Sequence, residues 1–385
     1  MSGDEVAKSA RSFSELVCCL TCVLSNGPDL LKSFLGMMSQ TEDCWMKCVL
    51  LKSTGNASIE ETTPPALKQG DILVEMKACG LCGTDIEKLH GRYVASQPVL
   101  GHEASGVVAD MGDGVEGFNV GDRVFPHHHV PCYKCHFCRN GSETMCSHYR
   151  ASNLDPGGFS EYFRVPAWNV KGGGVLKLPT NVTFEEASLI EPTACCMRSI
   201  NRCDVSEDET VLVVGAGPIG LTHVQLLSLH GPKILVSDIN KSRLQFAERS
   251  GASAVYDATE FDVPLKVREE TGGIGADLVV VASGSSKAMI QALNSVRKGG
   301  KICLFGVPTK GTRLDYDFSD IFNSEVSIIT SNAATEVETK ATLKLMEEHR
   351  LDLLRLITHR FRLDEFEKAV ETAKQGNCGK IVITP

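Results

Sequence analysis

The arrangement of apolar and polar positions changes character twice along the chain. From Met46 onward, short apolar runs are broken by Gly, Pro and Asp, as in Ile72-Leu73-Val74 and Val120-Gly121-Asp122-Arg123-Val124. This punctuation predicts a β-rich segment. Near Val211 the pattern becomes strands alternating with helices. Apolar runs at 211–214, 234–237, 254–256, 278–282 and 301–306 predict five strands of a doubly wound parallel sheet. After about Ile328 the pattern is mixed until a helix at 363–374 and a last strand at 380–383. That strand is placed to return to the β-rich front. The expected class is α/β, with a first catalytic part at 46–193, a nucleotide domain at 194–331 and a tail at 332–385 that rejoins the front.

Residues 1–45 stand apart. A short apolar stretch at 16–24 (LVCCLTCVL) follows Lys8 and Arg11, but Ser25-Asn26-Gly27-Pro28 offers no clean cleavage pattern for a signal peptide. The segment is read as a small amphipathic appendage, or as the result of a start codon assigned too early, with Met46 opening the ordered domain.

With 385 residues, 42% of them hydrophobic, the chain is long enough for two domains sharing a cleft. A net charge of -9 and a pI near 5.7 argue against nucleic acid or an anionic membrane as the main partner, because both would repel this surface. No run reaches the roughly 18 to 20 apolar residues of a membrane span. The expectation is a soluble, cytoplasmic protein with a small-molecule partner. The 16 cysteines exceed what a reduced core needs, while the chain is too long for a disulfide-stapled mini-protein, so spacing must choose between metal and disulfide.

The strand at 211–214 runs into Gly215-Ala216-Gly217-Pro218-Ile219-Gly220 and then a helical pattern at 221–229. In this setting the glycines provide a tight turn, close approach to a pyrophosphate and helix-on-strand packing. The next strand ends in Asp238, which suits the adenosine ribose and repels a 2'-phosphate, so NAD is favoured over NADP. The bland alternative is that Asp238 only caps its own turn. Lys241 and Arg243 soften the discrimination, and Arg243 is counted with Gly215, Gly217, Pro218, Ile219, Gly220 and Asp238 as a coenzyme residue.

Cys132, Cys135, Cys138 and Cys146 fall at spacings that suit four thiolates on a structural zinc. Disulfides at such short intervals would be strained, and a reducing cytosol would open them. An iron-sulfur cluster is the sharper rival, but nothing else in the chain suggests electron transfer. A second group, Gly80-Leu81-Cys82-Gly83-Thr84-Asp85 and Gly101-His102-Glu103, offers thiolate, imidazole and carboxylate from two loops, as a catalytic zinc with an open position requires. Taken singly, a buried cysteine and a His-Glu pair have ordinary structural explanations.

Together with Gly101-His102-Glu103-Ala104-Ser105-Gly106-Val107-Val108 and Gly157-Gly158-Phe159-Ser160-Glu161-Tyr162, these motifs strongly resemble the zinc-containing medium-chain dehydrogenases over about residues 46–385. The resemblance implies a GroES-like catalytic domain and a Rossmann domain with the active site between them. It also implies two zinc ions per chain, one catalytic at Cys82, His102 and Glu103 and one structural at the four cysteines. Asp85 would orient His102, and Thr84 would take the substrate proton.

Leu189-Ile190-Glu191-Pro192 resembles the polyol and threonine dehydrogenase branch, where a glutamate replaces the third metal-binding cysteine of ordinary alcohol dehydrogenases. Whether Glu103 or Glu191 is the direct third ligand stays open. One departure is Glu87, where those branches often carry histidine three residues after the Thr or Ser. It puts sorbitol and threonine in doubt and is reminiscent of sugar dehydrogenases.

The implied reaction is hydride transfer from a secondary alcohol, a polyol or sugar alcohol, to NAD in a homo-dimer or tetramer. The alternatives are a sugar 1-dehydrogenase, a simple alcohol dehydrogenase, or a non-catalytic nucleotide-binding structural protein on the same fold. His127, His128 and His129 are placed on a loop near the cleft with one touching substrate, Cys195 and Cys196 in the core beside Glu191, and Phe305 and Gly299-Gly300 at the sheet edge near the nicotinamide.

Overall fold

The computed structural model describes residues 45–53, 55–91, 99–376 and 378–385. The reading of residues 1–45 therefore lies, apart from Trp45, outside the described residues.

Two large sheets organise the molecule. The front half supplies β1 (Met46–Ser53), β2 (Asn56–Thr62), β3 (Ile72–Leu81), β4 (Glu103–Met111), β5 (Arg123–Pro126), β6 (Tyr162–Val165) and β7 (Val175–Lys177). The middle supplies β8 (Thr210–Val214), β9 (Lys233–Asp238), β10 (Ala254–Asp257), β11 (Ala276–Val281), β12 (Val296–Leu304) and β13 (Ser327–Thr330), and the tail β14 (Ile357–Arg362) and β15 (Lys380–Thr384). The middle strands form a parallel sheet in the order β10-β9-β8-β11-β12-β13. Order reverses between β8 and β11, the switch point where doubly wound sheets bind nucleotides.

The apolar runs predicted five of these strands; β13 is a sixth. It escaped notice because it is an edge strand with half-exposed residues and no continuous apolar run. The front and tail strands form the other sheet, β14-β15-β3-β4-β5-β7 with β6 on β3, while β1 and β2 pair as a hairpin. β15 does return to the front, pairing antiparallel with β3 through Ile381, Val382 and Ile383.

The sheets share a core. One buried cluster runs from Ala78, Phe125 and Leu176 in the front through Ile190, Cys196 and Ile200 to Val211, Val213 and Ile234 in the nucleotide sheet, and on to Leu353 and Val382 in the tail. The helix Ile190–Cys203 sits at its centre and is buried on nearly every face, including Glu191, Arg198 and Ser199. Its buried polar side chains have partners: Glu191 accepts the Cys195 thiol and Arg198 pairs with Glu143. Among the described residues, no helix is long and apolar enough to cross a membrane.

Gly299-Gly300 does not lie where the sequence reading placed it. The ladders Leu278↔Val211 and Leu278↔Lys301 show β8 and β12 running in step, so Gly299 and Gly300 stand at the start of the strands. The nucleotide loop follows their opposite, C-terminal ends. Phe305 is at that end, where its ring meets His223 edge-on at 4.8 Å.

Candidate active site

Cys82 closes β3 and caps the helix Gly83–Leu89, and Gly101-His102 leads into β4. Asp85, wholly buried, ties these two segments together. Its Oδ2 accepts the Cys82 amide at 3.2 Å, its Oδ1 accepts the Gly101 amide at 3.2 Å, and Oδ1 lies 3.4 Å from His102 Nδ1. The imidazole therefore turns its other nitrogen outward, with Nε2 3.4 Å from Thr84 Oγ1. Burial disfavours the charged imidazole, but the Asp85 carboxylate and the Cys82 sulfur hold His102 well above the usual histidine range.

Glu103 completes the group. One donor atom each from Cys82, His102 and Glu103 lie within 4.8 Å of one another. The Glu103 carboxylate is fully buried; its Oε2 is ion-paired with Lys380 and its Oε1 has no partner. Burial raises its pKa, against the opposing pull of the Lys380 ammonium paired with it. That pair exists because of strand register. β15, β3 and β4 are adjacent, with Gly80 opposite both Val382 and Glu103. A Cβ at Gly80 would collide with Glu103 Oε2 and stand 2.8 Å from Lys380 Cε, so only glycine lets the lysine reach across.

The sequence reading did not single out Lys380. The available signal was a lysine heading an otherwise apolar strand, but nothing in the sequence names its partner. Glu191 is buried nearby and accepts the Cys195 thiol at 3.3 Å, yet it lies outside the three-donor group. Cys195 and Cys196 are buried beside it, as expected.

The four lobe cysteines converge. Their sulfurs stand 3.5 Å (Cys135 to Cys138), 3.6 Å (Cys132 to Cys146) and 4.0 Å (Cys132 to Cys138) apart, and all four cysteines are free. A tetrahedral zinc with bonds of about 2.3 Å would space its sulfurs about 3.8 Å apart, so the set fits that ion. The amides of Lys134 and Cys135 point at Cys132 and lower its pKa to about 6, while burial and the neighbouring thiols push Cys138 up to about 12. The three-donor group likewise fits a divalent ion: sulfur, nitrogen and a carboxylate whose Oε1 has no partner, and no fourth protein donor in the set.

A polar network locks this lobe to the rest. Tyr133 donates its hydroxyl to Glu336, the first residue of the helix Glu336–Glu347, and His127 Nδ1 bonds the same carboxylate at 2.9 Å. Arg198 reaches Glu143 in the lobe at 3.1 Å and Glu338 at 3.5 Å. These partners come from distant segments and had no sequence signal. The three histidines lie beside the three-donor group: the His128 ring is 5.0 Å from that of His102, and His127 and His129 flank it.

At the nucleotide loop, Gly217 caps the helix Pro218–Ser228, whose first residue is proline. A Cβ on Gly220 would strike the Gly215 carbonyl, so the third glycine is required for the helix to pack on the turn. Asp238 accepts the Ala216 amide at 2.6 Å and the Asn240 amide at 2.8 Å. It caps its own turn and also braces the glycine loop. Arg243 is engaged with the carbonyls of Gly376 (2.5 Å) and Cys378 (3.2 Å), which bridges the nucleotide sheet to the tail.

Comparison with known proteins matches residues 68–179 to the alcohol dehydrogenase GroES-like domain and residues 218–348 to the zinc-binding dehydrogenase domain. The chain is 31% identical to a sorbitol dehydrogenase of Halalkalibacterium halodurans, covering 86% of this chain and 96% of that one. It is 30% identical to D-arabinitol dehydrogenase 1 of Uromyces fabae, covering 91% and 100%. A zinc-binding dehydrogenase structure from Sinorhizobium meliloti 1021, bound to NADP, superposes with a TM-score of 0.81 at 28% identity, covering 89% of this chain and 100% of that one. With the donor set, the nucleotide loop and both sheets in place, the chain belongs to the zinc-containing medium-chain dehydrogenase family, in the branch that resembles polyol and threonine dehydrogenases.

Proposed function

We propose that the protein oxidises a secondary alcohol of a polyol or sugar alcohol by hydride transfer to NAD, at a centre built on Cys82, His102 and Glu103. The observation that carries this reading is the convergence of those three donors next to a hydroxyl, Thr84, on the family's fold. Zinc supplies Lewis acidity toward an alcohol oxygen, and NAD supplies the hydride acceptor.

The chain's own residues do the rest. Thr84 Oγ1 takes the proton released by the substrate hydroxyl as it passes its own proton outward to solvent. Asp85 fixes the ring orientation of His102 and the backbone of Cys82. Gly215, Gly217 and Gly220, with the N-terminus of the helix Pro218–Ser228, hold the pyrophosphate of the coenzyme, helped by Pro218 and Ile219. Asp238 presents a carboxylate at the end of β9, which favours a free ribose over a 2'-phosphate, and Arg243 is occupied by backbone carbonyls; both support NAD.

Cys132, Cys135, Cys138 and Cys146 hold a second, structural zinc. In this reading 46–193 and 332–385 form the catalytic unit and 194–331 the coenzyme unit. The polyol assignment draws on the sorbitol and arabinitol dehydrogenases to which the chain is similar. A homo-oligomer is supported by the open edge of the nucleotide sheet, where Ile328 on β13 and the neighbouring Phe318 and Phe322 are exposed.

The test is NAD reduction by the zinc-loaded protein across polyols, sugars and simple alcohols. Cys82→Ser is expected to abolish turnover while leaving NAD binding intact. An unchanged rate would remove Cys82 from the centre, and turnover confined to simple alcohols or to sugar C1 would replace the polyol reading.

A further inference from the structure

His127, His128 and His129 leave the end of β5 in succession, and they differ in how their rings are held. His127 Nδ1 bonds Glu336 Oε1 at 2.9 Å, and His129 Nδ1 donates to the Ser152 carbonyl at 2.5 Å. His128 has no such anchor. It is only 7% exposed, and its Nδ1 is buried without a partner. Its position is nevertheless fixed from behind, because the Asn169 amide donates to the carbonyls of both His127 and His128 at 2.9 Å. The ring is tilted 50° against that of His102, with centroids 5.0 Å apart, which puts it next to the three-donor group.

A buried polar atom without a partner in a well-anchored loop calls for a ligand or a bound water. The anchored neighbours rule out a loosely packed loop as the cause. An imidazole nitrogen can either accept from or donate to a hydroxyl, according to its tautomer. A monohydric alcohol at the centre would spend its one hydroxyl there and leave His128 unpaired. A substrate with a second hydroxyl on the adjacent carbon would satisfy it.

We propose that His128 is the specificity-determining residue that hydrogen-bonds the hydroxyl next to the carbon being oxidised, so that the site selects vicinal diols over monohydric alcohols. This rests on the reading of Cys82, His102 and Glu103 as an alcohol-oxidising centre. It goes beyond that reading by naming the feature of the substrate that is recognised and the side chain that recognises it. Sites that bond a substrate hydroxyl discriminate strongly against analogues lacking it, because the buried partner is then left unpaired.

The experiment compares 2,3-butanediol with 2-butanol, which share a carbon skeleton and differ by one hydroxyl. kcat and KM are measured for the zinc-loaded full chain, for His128→Phe and for His128→Gln, with zinc content and Tm checked for each. The ratio of kcat/KM for diol over monohydric alcohol is expected to fall about tenfold or more in His128→Phe, through KM of the diol, and to recover in part in His128→Gln. An unchanged ratio overturns the proposal: equal losses on both alcohols mean a structural role, and no loss on either means that only water meets the ring. If His128→Phe does not fold, His128→Ala, which also removes the hydrogen-bonding ring, takes its place under the same criterion. Turnover of neither alcohol by the unaltered chain, with polyols also inert, sinks the underlying reading and this one with it; turnover with an unchanged ratio sinks this one alone.

Discussion

Lys380 and Glu103 form a buried ion pair across Gly80, joining the tail of the chain to the carboxylate of the three-donor group. A buried charge that loses its partner is costly, whereas a metal bound to the same carboxylate would compensate for the loss. Lys380→Met is therefore expected to destabilise the metal-free protein by about 3 kcal/mol and the zinc-loaded protein by clearly less. Urea unfolding with and without zinc reads the difference. Equal losses in both forms would show that Glu103 does not meet the ion and would turn attention to Glu191.

The four-cysteine lobe makes a separate prediction. Cys135→Ser is expected to lower the zinc content from two ions per chain to one and to reduce Tm, while the remaining folded enzyme keeps its kcat. Elemental analysis and a melting curve check this. Full stability and two zinc ions in the variant would exclude the lobe as a structural metal site.

Proton competition follows from His102 and Asp85. Against the penalty of burial, Asp85 raises the His102 pKa, so in the metal-free protein this histidine stabilises the fold fully below its unfolded value of about 6.5. That contribution is lost as pH rises through the raised folded value. Asp85, buried but held below the usual carboxylate range by His102, contributes above its unfolded value and loses its contribution as pH falls through the lowered one. The metal-free protein is expected to lose Tm as pH rises above about 6.5 and through the raised folded value of His102, and His102→Asn to flatten that slope. Zinc must displace the same proton, so its affinity is expected to fall with falling pH. Calorimetry in two buffers of different ionisation enthalpy measures the released proton, and a binding heat independent of buffer would contradict the assignment.

The open edge at β13 predicts an interface. Ile328→Lys puts a charge where a second sheet edge would pair, and the variant is expected to run as a smaller species in light scattering with its fold intact. Retention of the parent mass would place the subunit contact elsewhere.

The sequence made the nucleotide sheet readable because its inner strands are continuous apolar runs ended by glycine or aspartate; the run at 211–214 became β8 and that at 234–237 became β9. The helix Glu336–Glu347 was harder to see, since the residues it buries include Glu336, Glu338, Thr339 and Thr342 rather than an apolar stripe. Its one local signal was the Thr335 and Glu338 capping box. Cys82, His102 and Glu103 could be found from spacing and resemblance. Lys380, Glu336 and Asn169 could not, because each acts on a residue far away in sequence and pairings of that kind are made by sheet register and packing.

The seat of β15 beside β3 has a bearing on how the molecule is made. The ribosome delivers the whole nucleotide-binding half before it delivers β15, so until then β3 lacks one neighbour and Glu103 lacks the Lys380 ammonium. A nascent chain can thus assemble a coenzyme fold early, while the chemistry-bearing half must wait for its final strand.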